Sequence, residues 1–259
     1  MKIVKNKSVN NGCSSNRILI YGRHPLFSIL RSKKRKVYEI FVSNKNKQEF
    51  LETTSKENIN FDNKIVKFVD TEQLNNIFPY QEKNHQGYIA FVGQKQKVSF
   101  DDFINNIRDM KDLPKLLILD QILDPHNLGA IIRTAVAFGI ENIIITSYNS
   151  VKDTPVVAKT SVGLNEIVNL IEVVNLNNAI KDLKNVGYFV IGLDGEAKIE
   201  IDSINDNRNL ALVLGNEGRG IRELVKKNCD ELVKIPMKDA VESLNVSVAS
   251  AIAIYEIWG

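Results

Sequence analysis

The stretch that most constrains the fold is residues 210–221, LALVLGNEGRGI. Five consecutive apolar residues run directly into Gly215-Asn216-Glu217-Gly218-Arg219-Gly220. An unbroken apolar run fits a strand buried on both faces, as in a parallel sheet. Ile221, Leu224 and Val225 then recur at helical spacing, so the stretch predicts strand, glycine-rich loop and helix. In an open α/β sheet, ligands sit at the carboxyl ends of strands, and glycine lets backbone approach them with no Cβ in the way. The spacing G-x-x-G-x-G is not the dinucleotide fingerprint G-x-G-x-x-G. It is not a P-loop either, since no Gly-Lys-Ser/Thr follows. Taken alone, the loop also fits a plain strand-to-helix turn.

The same alternation runs from Leu113 onward. Strands are expected at 116–119, 142–146, 167–173, 188–193 and 232–235, and helices at 127–138, 155–162, 176–185 and 243–258. Apolar strands alternating with helices argue for a mostly parallel sheet covered on both faces, spanning 113–259. Residues 16–92 read as a second, smaller α/β block. Residues 93–112, polar and mixed in charge, read as a linker with room for a short helix. Residues 1–15, rich in Asn, Ser and Lys, carry too little apolar surface to pack and read as a disordered tail.

With 44% hydrophobic and 25% charged residues, the chain has the balance of a soluble globular protein. No apolar run approaches the ~20 residues of a transmembrane helix, so no membrane association is expected. The opening MKIVKNKSVNNGCSS has no apolar signal-peptide core, and a cytoplasmic location is the expectation. Cys13 and Cys229 are far apart, which fits a reducing compartment, and His24, His85 and His126 show no metal-ligand spacing, so no metal is expected. Charge is uneven. The first 50 residues hold twelve Lys/Arg against two Asp/Glu, whereas the whole chain holds 34 against 31. A basic front end on an acidic remainder fits a polyanion-binding module. It also fits the compositional bias of a chain rich in Lys, Asn and Ile. The basic turn 31–36, RSKKRK, is the densest part, and Arg31, Lys33, Lys34, Arg35 and Lys36, with Arg23, are the candidate phosphate contacts.

Three loops after strands of the larger sheet carry unusual polar residues. The first is Asp124-Pro125-His126-Asn127-Leu128-Gly129. In the helix that follows, Leu128, Ile131, Ile132, Ala135 and Val136 share a face, and Arg133 lies about 140° from Leu128, outside that stripe. Asn127 fits either a helix N-cap or a site residue. The second is the glycine loop, where Glu217 fits either a site carboxylate or a partner of the helix dipole. The third joins Ile235-Pro236-Met237 to Ser243-Leu244-Asn245, with Ser243 as the expected N-cap of the last helix. A further turn, Gly192-Leu193-Asp194-Gly195-Glu196, ends another strand.

In combination, N-L-G-A-I-I-R-T-A, L-G-N-E-G-R-G and I-P-M…E-S-L-N-V-S-V-A resemble, in this order, the three signature motifs of the SpoU (TrmH) branch of the SPOUT methyltransferases. Tyr21-Gly22-Arg23-His24-Pro25 and His85-Gln86-Gly87 resemble the L30e-like substrate-binding domain of bacterial 23S rRNA guanosine 2′-O-methyltransferases. The resemblance implies a SPOUT-type sheet with a C-terminal trefoil knot, a homodimer with the last helix near its interface, and RNA as substrate. It implies S-adenosyl-L-methionine held by Leu193, Gly195, Gly215, Glu217, Ile235, Met237 and Leu244. It further implies catalytic roles for Arg133, Asn127, Glu217, Ser243 and Asn245, with Arg133 acting on the ribose 2′-hydroxyl. Because guanidinium stays protonated far above neutral pH, positioning and electrostatics are expected to be the larger part of that role. A large-subunit rRNA guanosine is the expected target. A tRNA ribose, a non-catalytic role in ribosome assembly, and a different nucleotide-using α/β enzyme are the alternatives.

Overall fold

The computed structural model describes residues 17–80, 84–204, 208–238 and 243–259, so the tail expected at 1–15 and Glu242 of the third motif lie outside the described residues. The first unit contains β1 (Ile18–Tyr21), α1 (Arg23–Ser32), β2 (Val37–Ser43), α2 (Lys47–Lys56), β3 (Val66–Val69), α3 (Thr71–Ile77) and β4 (Tyr88–Val92). Its four strands lie in the order β1-β4-β2-β3. The pairs β1–β4 and β2–β4 are antiparallel and β2–β3 is parallel. The period of two in a strand sends Ile40, Val42, Tyr88 and Ala90 to one face, against Leu26 and Phe27 of α1 and Phe50 of α2. Phe41 and Ile89 go to the other face, against Leu74 of α3 and Phe78.

The expected linker does contain a short helix, α4 (Phe100–Ile107), whose Phe103, Ile104 and Ile107 are buried in the core of the second unit. These three apolar residues at helical spacing need a surface, and the larger sheet supplies it.

That sheet carries β5 (Leu116–Leu119), α5 (Pro125–Ala137), β6 (Asn142–Thr146), α6 (Pro155–Thr160), β7 (Asn169–Val173), α7 (Leu176–Asn185), β8 (Phe189–Leu193), β9 (Ile199–Glu200), β10 (Leu210–Leu214), α8 (Glu223–Asn228), β11 (Glu231–Lys234) and α9 (Val246–Trp258). Its seven strands run β7-β6-β5-β10-β8-β11-β9, and every pair is parallel. Residues of α5 and α9 cover one face, and α4, α7 and α8 cover the other. The chain builds outward from β5 through β6 to β7, then returns to the far side, where β10 inserts between β5 and β8. Such a reversal of strand order is where a doubly wound sheet opens a crevice.

The two units are docked through the connection between β6 and β7. Ala158 of α6 is buried in the core of the first unit. A Cβ on Gly163 would stand 2.5 Å from Ser28 Oγ of α1. Arg35 donates to Glu166 at 3.0 Å and to Asp153 at 2.5 Å, with the Arg35 and Glu166 side chains each 1% exposed. Asn165 donates to Asp153 at 2.8 Å, and Lys95 donates to the carbonyls of Asn165, at 2.6 Å, and of Val168. Burial pushes the Glu166 carboxyl above its ordinary value against the pull of Arg35, and burial draws the Lys95 ammonium down.

Candidate active site

Because β10, β8 and β11 are parallel neighbours, their carboxyl ends lie side by side, and the loops that leave them meet. Together they enclose a cleft of about 610 Å³. Leu193 and Gly195 line it from the first loop, Gly215 and Glu217 from the second, Ile235 and Met237 from the third. Ser243 and Leu244 complete the lining just before α9. The volume lies within the range of small-molecule sites, and apolar walls with a few convergent polar groups are their usual make-up.

The glycine loop is rigidly built. Asn216 and Gly220 exchange two backbone hydrogen bonds, at 3.0 and 2.9 Å, so the loop folds back on itself. A Cβ on Gly215 would lie 2.1 Å from the carbonyl carbon of Gly220, so only glycine fits there. Asn216 donates to the Gln121 carbonyl at 2.9 Å. Asp120, fully buried at the end of β5, accepts from the Arg222 backbone N–H at 3.0 Å and its Nε at 2.8 Å. The helix expected from Ile221 starts instead at Glu223, because Arg222 is spent on Asp120. Ile221 is buried before the helix begins, and Leu224 faces outward at 60% exposed. Asp120 and Arg222 were missed in the sequence, although a carboxylate directly after the run Leu116–Leu119 was the available signal.

Beside the cleft, three polar side chains from distant segments join. Asn245 Nδ2 donates to Asn127 Oδ1 at 3.2 Å, and Asn127 Nδ2 donates to Glu217 Oε1. The N-cap reading of Asn127 does not hold: Asp124 caps α5, accepting from the His126 N–H at 2.8 Å. Ser243 is not the cap of α9 either. That role falls to Asn245, which accepts from the Ser247 N–H at 2.9 Å, so the helix starts at Val246. Asn245 thus has its orientation fixed by the helix while its amide reaches Asn127. Among the described residues, Glu217 Oε2 makes no hydrogen bond. Arg133 is exposed on α5 and does not line the cleft.

At another point of the lining, Lys226 of α8 meets Asp194 at 2.5 Å. Burial raises the Asp194 carboxyl, but Lys226 and the Glu196 backbone N–H outweigh it and hold it below its ordinary value. Lys226 is raised by the same contact. Among the described residues, no group of three or more His, Cys, Asp or Glu could hold a metal ion, and no helix is long and apolar enough to cross a membrane.

The basic turn divides. Lys33, Lys34 and Lys36 are exposed, with Lys34 donating to the Glu166 carbonyl at 3.2 Å and Lys36 lying 5.3 Å over the Tyr38 ring. Arg31 is paired with Glu57 at 2.7 Å and Arg23 with Glu49 at 2.6 Å, both at the surface. Arg35 corrects the expectation: its guanidinium is sealed between Asp153 and Glu166 and has no open face for a phosphate.

Residues 114–255 match the model of the SpoU rRNA methylase family, and residues 19–98 match that of the RNA 2′-O ribose methyltransferase substrate-binding domain. The chain belongs to the SpoU methylase family of RNA methyltransferases. Among relatives, it is 34% identical over 243 residues to a putative TrmH family tRNA/rRNA methyltransferase, YacO, of Bacillus subtilis, covering 92% of this chain and 94% of that one. A putative TrmH family tRNA/rRNA methyltransferase of Staphylococcus haemolyticus is 39% identical over 194 residues, 75% of this chain and 77% of the relative. The fold is that of the SpoU methyltransferase AviRb from Streptomyces viridochromogenes, solved in complex with AdoMet, with a TM-score of 0.75 at 18% identity over 94% of this chain and 89% of that one.

Proposed function

We propose that this protein transfers a methyl group from S-adenosyl-L-methionine to a ribose 2′-hydroxyl of RNA, with a large-subunit rRNA guanosine as the target. The observation that carries this reading is the Asn245–Asn127–Glu217 chain beside a cleft made of three strand-end loops. The lining fits the cofactor. Leu193, Ile235, Met237 and Leu244 suit an adenine, the glycine loops offer backbone groups to its polar edge, and Asp194 with Lys226 suits polar or charged ends. When bound, the cofactor supplies a methyl group on a sulfonium, which is a good leaving group. The residues of this chain have two tasks, to aim the ribose oxygen and to manage its proton. Asn127 fixes Glu217 through one carboxylate oxygen, leaving the other to accept from a hydroxyl. Arg133 projects from α5 to hold an RNA phosphate, and Ser243 sits on the wall beside Leu244.

The substrate-binding match at 19–98 and the exposed Lys33, Lys34 and Lys36, with Arg23 and Arg31, support RNA contact by the first unit, read as L30e-like. α9 is mostly apolar, yet Val248 is 48% and Tyr255 61% exposed. A helix of that kind asks for a partner, which supports a homodimer formed by the second unit. The family's C-terminal trefoil knot is part of the same reading.

The test is transfer of labelled methyl from S-adenosyl-L-methionine to ribosomal and transfer RNA from cells lacking this protein. Primer extension then maps the modified nucleotide. Methyl transfer to rRNA is expected, and transfer to tRNA alone redirects the substrate assignment. Absence of transfer to both, with no heat of cofactor binding in calorimetry, overturns the reading.

A further inference from the structure

A second cavity, of about 640 Å³, opens at the junction of the two units. Tyr21, Tyr80 and Asn84 line it from the first unit, and His126, Lys159 and Thr160 from the second. We propose that this groove holds an unpaired nucleobase of the substrate RNA, stacked on Tyr80, with Lys159 and His126 facing the neighbouring phosphate. The proposal rests on the RNA methyl transfer argued above and names where a nucleotide flanking the target is held.

Tyr80 is a prepared platform. It is 39% exposed, yet its ring centroid lies 5.6 Å from Tyr21 and 5.1 Å from Phe78. Phe78 in turn packs on Tyr21 at 4.8 Å and His85 at 5.3 Å. An exposed ring held by two neighbours stacks on a base with little further loss of freedom, and base–aromatic stacking tolerates any base. The positive charge is also fixed. Lys159 Nζ sits 5.2 Å over the Tyr21 ring and donates to the Asn84 carbonyl at 2.5 Å. His126 is exposed, with Nδ1 3.4 Å from Thr160 Oγ1. Aromatic faces interleaved with cations and hydrogen-bonding groups are the make-up of a single-stranded nucleic-acid groove.

The groove also stands in the right place. His126 directly precedes Asn127 of the candidate active site. Seven residues along a helix return to nearly the same face, so Arg133 continues the exposed stripe that His126 begins, with Ala130 between them. A strand entering over Tyr80 would therefore run past Asn127 toward Arg133. Proteins most easily reach a 2′-hydroxyl and its neighbouring bases where RNA is unpaired, so a base splayed into this groove fits the reaction.

The experiment compares Tyr80→Ala, Tyr80→Phe and Lys159→Gln with the intact protein. Fluorescein-labelled oligouridylate and a labelled RNA duplex serve as probes, with cofactor titration as the control. Tyr80→Ala is expected to weaken oligouridylate binding by about tenfold or more, and Tyr80→Phe to restore it. Lys159→Gln is expected to reduce the salt slope on the single strand by about 0.7. Cofactor affinity is expected to stay at the wild-type value, and 5-iodouridine in the oligonucleotide to crosslink to Tyr80. Unchanged oligouridylate binding by Tyr80→Ala overturns the proposal, as does equal weakening of single strand and duplex. A protein that binds oligouridylate through Tyr80 but methylates no RNA keeps the groove and overturns the methyl-transfer reading, so the two failures are distinguishable.

Discussion

Two polar clusters in this molecule use similar residues for opposite ends. The Arg35–Asp153–Glu166 cluster and the Asn245–Asn127–Glu217 chain each join segments about a hundred residues apart or more. In the first, charges face charges and the Arg35 and Glu166 side chains are sealed from solvent. In the second, one neutral amide, itself held by another, holds a carboxylate at the edge of an open cleft, and a carboxylate oxygen is left over. Burial and unspent hydrogen-bonding capacity, rather than residue type, separate the group that holds the fold from the group that can act on a ligand.

The largest expected effect breaks the first cluster. Arg35→Ala leaves the buried Glu166 carboxyl, and the part-exposed Asp153, without their cation and is expected to lower the unfolding free energy by about 3–5 kcal/mol, read by urea denaturation. If stability held and RNA affinity fell instead, Arg35 would be the phosphate contact that its sequence position suggested. The matching change in the second cluster is Asn127→Ala. It is expected to cut methyl transfer by about 10²-fold or more, with stability changed by no more than about 1–3 kcal/mol, measured by single-turnover kinetics beside denaturation. Equal losses in both would erase the distinction between the clusters.

Gly129→Ala is expected to act between these extremes. Its Cβ would stand 2.6 Å from Thr160 Cβ, so α6 must move away from α5, at a cost of about 1–3 kcal/mol read as a lower thermal midpoint. The smallest effect is on pH dependence. The Tyr88 hydroxyl, with Arg23, holds Glu49 below its ordinary value, so Glu49 stabilises the fold above that value and the contribution disappears as pH falls through the lowered one. Glu166 has the opposite sign. Burial raises it, so its contribution is complete below the ordinary carboxylate value and is lost as pH rises through the raised one. Glu49→Gln is therefore expected to flatten the acid limb of a stability–pH curve. An unchanged limb would show that the Tyr88 contact does not matter to folding.

Much of the larger sheet was legible because its strands are continuous apolar runs: β5 and β10 start and stop where the runs do, and β6 extends one residue past its run at each end. Helix starts were less legible, since Asp124, Asn245 and Arg222 compete with neighbours for the capping position and only geometry chooses among them. That Asn127, Glu217 and Asn245 come together was legible through their ordered motifs. The fate of Arg35 was not, because Glu166 lies 131 residues away and nothing local distinguishes Arg35 from the lysines beside it. Tyr80 was overlooked because its platform depends on Tyr21 of the distant β1 as well as on Phe78 beside it in the chain.

The sealed ion pairs at the junction have a consequence for substrate choice. With the first unit bolted to the second, the span from the lysines of the basic turn to Glu217 is a fixed length. If those lysines grip the RNA and Glu217 meets its reacting sugar, such a caliper would accept RNAs in which the two points are the right number of nucleotides apart, and inserting or deleting one nucleotide between them would spoil the match. Selectivity would then come from measuring the substrate as much as from reading its bases.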